Sequence, residues 1–299
     1  MQVHTIDLKF LGEAAAIAVF LVPDSQGYTM VECGPYASHE VLLAALQHLG
    51  IAPKEVHTLL LTHIHFDHAG AAWWWARQGT RVYVHPRGYK HMVNPERLYN
   101  SAARIYGEDN MAQLWGRMEQ IDEAAIEAVV DYQDLDIGGN SWTAHHTPGH
   151  ASHHIAWAVK DIVFTGDVGG VKIHGGPVVP PCPPPDIDVA AWKASIKRLA
   201  QLDATSFYLT HFGAVNPQGH LTALQDRLEK YVGFVRDQLA AGTSIEHTVP
   251  LFTKFVEDEL VATGASTATV AAYRAANPPY MSVAGIARWL DTRKKATPN

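Results

Sequence analysis

The chain has 299 residues, 47% of them hydrophobic, enough for one large core or one core with a smaller appendage. A net charge of −7 disfavours a general nucleic-acid binder, and the longest apolar run, Ala14 to Val22, is too short to cross a bilayer. Two cysteines make no disulfide framework, and Met1-Gln2-Val3-His4 is not a basic segment leading into an apolar one, so a cytoplasmic protein is the expectation.

In chain order, Val3 to Phe10, Ala16 to Val22 and Tyr28 to Glu32 read as strands, the third ended by Gly34-Pro35. Ser38 to Leu49 reads as a helix closed by Gly50. Val56 to Thr62 is apolar and β-prone, a buried strand that runs into His63-Ile64-His65-Phe66-Asp67-His68. Ala71 to Gln78 reads as a short helix and Arg81 to His85 as a strand. Asn94 to Glu119 is mostly helical in pattern, an excursion long enough to roof a site. The second half returns to strands at Ser141 to Thr147, Asp161 to Thr165 and Ser206 to Thr210, with a helix over Ile187 to Leu202. From about residue 220 the texture is Ala-rich and helical: Leu221 to Ala241, Val249 to Thr263, Thr267 to Ala276 and Met281 to Lys294, with a break at Pro278-Pro279. The expected division is 1–219 for an α/β domain, with a helical insertion at about 94–119, and 220–299 for a helical C-terminal extension.

Five histidines and two aspartates fall into one spacing pattern. Residues two apart on an extended chain point the same way, so His63 and His65 can converge on one metal. Asp67 and His68 follow after a turn and can face a second. Each later piece repeats a strand, a threonine and then a ligand: Thr147 before His150, Thr165 before Asp167, Thr210 before His211. Ligands at the ends of neighbouring strands meet at one edge of a layered α/β domain. The bland reading, scatter among 18 histidines, does not account for four such pieces in order. Imidazole and carboxylate donors suit zinc, iron and manganese, and a set without thiolates is not a structural Cys-type zinc site. Two divalent ions against two carboxylates leave a positive surplus that can stabilise a developing oxyanion.

These motifs, Thr62 to His68, Thr147-Pro148-Gly149-His150, Thr165-Gly166-Asp167 and Leu209 to Gly213, resemble those of the metallo-β-lactamase superfamily over roughly residues 1 to 215. Within it the chain looks most like the glyoxalase II-like hydrolases. The resemblance implies an α/β fold, the four-layer αβ/βα metallo-β-lactamase sandwich, here with a helical C-terminal extension. It also implies that His63, His65 and His150 hold one divalent ion, that Asp67, His68 and His211 hold a second, and that Asp167 bridges them. Zinc is the first expectation, with iron or manganese as alternatives. Asp67 and Asp167 are the expected catalytic carboxylates, around a metal-bridging hydroxide that attacks a small thioester or, next in order, a lactone or ester. Phosphodiester cleavage, iron-dependent sulfur oxidation and a non-enzymatic metal-binding role stand as alternatives, the complete ligand set arguing against the last. The expected partner is a small-molecule substrate, without nucleic acid or membrane, and a homodimer is allowed. The flavodiiron branch usually has Glu where His65 stands. The zinc β-lactamases proper use Cys in place of the bridging Asp, and neither Cys33 nor Cys182 sits there, so penicillin hydrolysis is not the expected activity. Glyoxalase II-like enzymes take glutathione contacts from helices after the metal domain, but those contact motifs find no match here.

Other residues carry weaker signals. His153 or His154 could orient a ligand, although a hydrogen-bonded strand residue is the commoner role. His85 ends a strand near the same edge, and His174 reads as a surface loop residue. Trp73-Trp74-Trp75 on a helix must fan around the axis, so at least one should lie near the surface. The stiff run Val178 to Pro185 could wall a substrate mouth or simply connect, and Cys182 within it has no cationic cluster to activate it. Tyr99, Arg104 and Tyr106 are candidates for substrate contact beside ordinary helix-face roles.

Overall fold

In the computed structural model, which describes residues 1–296, helices enclose a pair of sheets to make four layers. The first sheet joins β1 (His4–Asp7), β2 (Ala18–Asp24), β3 (Gly27–Val31), β4 (Val56–Leu60), β5 (Arg81–Val84) and β6 (Ile126–Ala128) in chain order. The second contains β7 (Asp134–Ile137), β8 (Asn140–His146), β9 (Ile155–Val159), β10 (Ile162–Phe164), β11 (Ser206–Leu209) and β12 (Gly213–Val215), again each beside the next. β3 and β4 pair in parallel, as do β10 and β11. Parallel neighbours end on the same side, and this delivers the segments after them to one edge.

The sheets face each other through Phe20, Val22, Val31 and Leu60 of the first and Trp142, Trp157 and Phe164 of the second. Covered on both faces, β2 reads as a continuous apolar run with no alternation. On the outside of the first sheet lie α1 (His39–His48), the single turn α2 (Phe66–Ala69), α3 (Ala72–Arg77), α4 (Pro86–Val93), α5 (Glu96–Tyr106) and α6 (Glu108–Leu114). Against the second pack α7 (Val189–Leu199), α8 (His220–Ala240), α9 (Ile245–Ala262), α10 (Thr267–Ala276) and α11 (Pro279–Ala296). Leu224, Leu228, Phe252 and Ile286 of this C-terminal helical region share one core with Trp192 and Phe207. Among the described residues no helix is long and apolar enough to cross a membrane.

Several boundaries differ from the sequence expectations for local reasons. β1 stops at Asp7 because Lys9 and Leu11 adopt φ of 47° and 56°, which breaks the extended chain. The helical excursion divides at Gly107 (φ +86°) and leaves the helix after Leu114, short of Glu119. α9 starts at Ile245, ahead of Val249, because Ser244 caps it by accepting from the His247 amide, and Pro250 is tolerated inside. α11 starts at Pro279, a residue suited to the first helical position. The tryptophans fan as expected: Trp73 and Trp75 are buried, while Trp74 is half-buried with its ring 4.3 Å from that of His39.

Candidate metal centre

All seven sequence-predicted side chains meet at the edge where β4, β8, β10 and β11 end. Two glycines make the approach feasible. Gly149 has φ +141°, and a Cβ there would lie 2.3 Å from the Trp192 Cα. Gly166 has φ +50°, and its Cβ would lie 2.6 Å from Thr62 Oγ1 and 2.7 Å from His154 Nε2. The Thr-Pro-Gly-His and Thr-Gly-Asp segments therefore need glycine for both conformation and space.

One group of donors is His63, His65 and His150; another is Asp67, His68 and His211. Within each group the ligand atoms lie inside 4.8 Å of one another. His65 Nδ1 stands 2.9 Å from His63 Nε2 and 3.0 Å from His150 Nε2. Asp167 faces both groups: Oδ2 is 3.3 Å from His150 Nε2, and Oδ1 is 3.3 Å from both His68 Nε2 and His211 Nε2. Asp67 Oδ2 lies 3.5 Å from His68 Nε2 and from His211 Nε2.

The opposite ring nitrogens are tied down, and this fixes the tautomers. His150 Nδ1 donates to the Pro181 carbonyl at 2.8 Å and His211 Nδ1 to the Ala16 carbonyl at 2.6 Å. His68 Nδ1 donates to Glu32 Oε1 at 2.9 Å. His63 Nδ1 donates to Thr62 Oγ1 at 3.0 Å, and that hydroxyl donates in turn to Glu32. The Nε2 of each of these four therefore faces inward, while His65 presents Nδ1. Glu32 is fully buried and also accepts from Thr210 Oγ1 at 3.2 Å, so one carboxylate supports both halves of the centre. Glu32, His63 and His68 could themselves be grouped as donors, but the Glu32 oxygens are already committed to these hydrogen bonds.

The electrostatics divide along the same line. Burial, reinforced by neighbouring imidazoles, holds His63 well below the ordinary histidine pKa. Burial likewise holds His65 down at about 4, His150 beside Asp167 is lowered less, and this group stays neutral. Burial also presses on His211, but Asp167 and Asp67 outweigh it and raise it to about 10; His68 is raised by the same carboxylates and Glu32. Burial opposes ionisation of Asp67 and Asp167 too, yet the histidines hold Asp67 at about 2 and Asp167 well below its ordinary value.

The residues present fit divalent ions. His68 Nε2, His211 Nε2 and Asp167 Oδ1 are buried without a hydrogen-bond partner, the condition of atoms aimed at a cation. A tetrahedral ion with bonds of about 2.0–2.1 Å puts its ligands about 3.3–3.4 Å apart, close to the separations seen here.

Above this floor opens a cavity of about 960 Å³. Ile105, Tyr106 and Trp115 of the helical excursion line it, so that segment does roof the site. Pro183, Pro184 and Pro185 form part of its wall. Tyr99 packs on Phe66, and neither Tyr99 nor Arg104 lines the cavity. Cys182 is buried, which raises its pKa and leaves it unreactive. His154 binds Thr147 Oγ1 at 2.9 Å and accepts from the Val168 amide, bracing the segments that carry His150 and Asp167. His153 lines the cavity with its ring centre 5.6 Å from that of His65. His85 instead caps α4, and His174 is exposed. Sequence reasoning overlooked Glu32, whose signal was a lone acid inside the apolar stretch Met30 to Cys33, and the cavity-lining run from Arg274 to Met281.

Comparison with known proteins agrees with this architecture. ST1585 of Sulfurisphaera tokodaii, a metallo-beta-lactamase fold-containing protein, is 30% identical over 177 residues, 58% of this chain and 66% of that protein. Rv2581c of Mycobacterium tuberculosis is 33% identical over 138 residues, 40% of this chain and 56% of the relative. The matches thus span under two thirds of either relative. The crystal structure of ST1585 superposes with a TM-score of 0.65 at 24% identity, over 77% of this chain and 86% of that one. The metallo-beta-lactamase family protein TTHA1429 of Thermus thermophilus gives 0.67 at 17% identity, over 98% and 93%. With donor clusters that can hold divalent ions, the fold suggests a metal-dependent hydrolase. The model of the Metallo-beta-lactamase superfamily matches residues 13–211, two thirds of the sequence, and to that superfamily the chain belongs.

Proposed function

We propose that this protein is a dinuclear metal-dependent hydrolase of small acyl compounds, thioesters first and lactones or esters next, on the glyoxalase II-like side of its superfamily. The observation that carries the reading is Asp167, which turns one oxygen to His150 and the other to His68 and His211. His63, His65 and His150 would hold one ion, and Asp67, His68 and His211 the other. Divalent ions bound there would supply Lewis acidity, polarising a carbonyl and lowering the pKa of water from about 15.7 to about 7.

The chain's own residues do the rest. Glu32, Pro181 and Ala16 hold the imidazoles in one orientation. Asp67 lines the cavity and can orient the attacking water, its low pKa keeping it ionised through the reaction. Phe10, Phe66 and Trp115 exclude bulk water from one side, which strengthens every charge interaction below them. Phosphodiester cleavage is the second reading, favoured by cations at the cavity mouth; the apolar wall beside them favours acyl substrates. The two cysteines are buried and unpaired, which supports a reducing, cytoplasmic setting.

The test is elemental analysis of protein purified without chelator, then a panel of thioesters, lactones and phosphodiesters at low salt. Two ions per chain and acyl turnover are expected. One ion at full occupancy that added zinc or manganese does not change, or nuclease activity with no acyl hydrolysis, would overturn the reading.

A further inference from the structure

Exposed side chains of two unlike kinds line the cavity. One set is Arg87, Lys90 and Arg97. Among the described residues none of the three forms an ion pair with a carboxylate, whereas Arg274 on the same cavity is held by Glu257 at 2.6 Å. Asp186, whose negative charge also reaches His91, accepts from the Ser152 hydroxyl at 2.6 Å and forms no ion pair with the three cations among the described residues. The other set is Leu11, Ile105 and Tyr280, large apolar side chains 53%, 39% and 42% exposed that also line the cavity.

The sequence builds this asymmetry. On α4, Arg87 and Lys90 are three apart, so they share a face. On α5, Leu98, Ala102 and Ile105 form an i, i+4, i+7 apolar stripe, while Arg97 and Ser101 line the cavity on the adjoining strip. His91 lies among these cations, and burial followed by the charges of Lys90 and Arg97 lowers its pKa. A chain of net charge −7 has thus gathered, at the mouth of a cavity of about 960 Å³, three cations that form no ion pair among the described residues. Clustered like charges repel unless an anion joins them, and guanidinium groups grip phosphate in bidentate fashion.

From these two sets of lining residues we infer that the preferred substrate is an acyl thioester with an apolar acyl arm, lying along Leu11, Ile105 and Tyr280, and a thiol arm whose phosphates reach Arg87, Lys90 and Arg97. The inference rests on the hydrolase reading above. In the reaction the water oxygen bonds to the carbonyl carbon and the carbon–sulfur bond breaks. One water proton ends on the sulfur, and the other is released from the new carboxylic acid.

The experiment compares octanoyl-coenzyme A with octanoyl-pantetheine, the same thioester without its phosphates, on metal-reconstituted protein. kcat/KM is expected to be at least about tenfold higher for the phosphorylated ester, and in the R87A/K90A/R97A variant that ratio should collapse toward one. Acetyl-coenzyme A should be the poorer substrate by KM. Calorimetry with desulfo-coenzyme A should give binding that weakens about tenfold in the triple variant and with added salt. Equal kcat/KM for the two octanoyl esters in the unmodified protein, or equal losses for both in the variant, would overturn the inference while leaving the hydrolase standing. Should no acyl compound of any kind be turned over, the hydrolase reading falls, and desulfo-coenzyme A binding then decides the role of the three cations alone: binding lost in the triple variant upholds it, and binding absent or unaltered overturns it.

Discussion

The floor of the cavity and its mouth are built on different terms. On the floor, four of the five candidate ligand histidines are held from behind by a backbone carbonyl, Thr62 or Glu32, and the atoms are buried. At the mouth, Arg87, Lys90, Arg97 and Ile105 stand exposed on helices that connect strands. Strand ends backed by buried hydrogen bonds can move little without breaking the fold, whereas helix faces can change residue by residue at small cost. On the function proposed above, reaction type and substrate choice would be encoded in separable parts of one chain.

Striking at the floor should have the largest effect. Asp167→Asn keeps the shape of the side chain but removes the charge shared by both donor groups, and His65→Ala removes Nδ1. Each is expected to cut kcat/KM beyond the roughly 100-fold reached by supporting residues, with an unchanged circular dichroism spectrum. Turnover above a tenth of wild type at matched metal loading would end the assignment.

A step back from the donors, Glu32→Gln retains hydrogen bonding and loses charge. Metal affinity in chelator competition should drop about 10- to 100-fold. Unaltered affinity would mean that His68 needs no anion behind it.

At the mouth, Ile105→Ser should raise KM for a medium-chain acyl substrate roughly three- to tenfold, with kcat and metal content intact. A fall in kcat or in metal content would show that mouth and floor are not separable.

A last prediction lies away from both regions, concerns stability and not turnover, and supplies a control on acid sensitivity. His39 is buried against Tyr36 and Trp74, and burial lowers its pKa from 6.5 to about 4. Above 6.5 the ring is neutral in both states. As pH falls toward 4 the unfolded chain takes up a proton that the folded chain refuses, so stability declines through that window and levels off below it. Allowing for partial solvent screening, the loss is about 2 kcal/mol. In metal-free protein His39→Phe should make the decline of Tm across this range shallower. Identical declines in the two proteins would clear His39 of any part in it.

The floor was legible because its rules are local. The spacing of His63, His65, Asp67 and His68 follows from an extended segment entering a turn, and Gly149 and Gly166 stand where the backbone leaves no room for Cβ. Glu32 escaped notice because its role depends on Thr62, His68 and Thr210, and the last is far away in the chain. The mouth was legible in part: the proline run and Tyr106 line it, but Arg87, Lys90 and Arg97 look like any solvated helix charges until α4 and α5 are seen over a cavity. Arg274 to Met281 carried no signal beyond the break at Pro278-Pro279, since tertiary packing alone brings the C-terminal helices to the site.

The donors are shared between the sheets: His63, His65, Asp67 and His68 follow β4 of the first, while His150, Asp167 and His211 belong to segments of the second. The two halves of the molecule are thus apposed by a dry seam, Phe20 against Phe164, and by a cation-seeking clasp at one edge. Whatever ion the clasp holds contributes its binding free energy to the mating of the halves, by an amount that grows with the logarithm of free-ion concentration. On the proposed reading, the thermal stability of the protein would be no fixed property of its sequence but a reading of ion activity in its surroundings, and starvation for metal would loosen the fold along the same seam at which it silenced the chemistry.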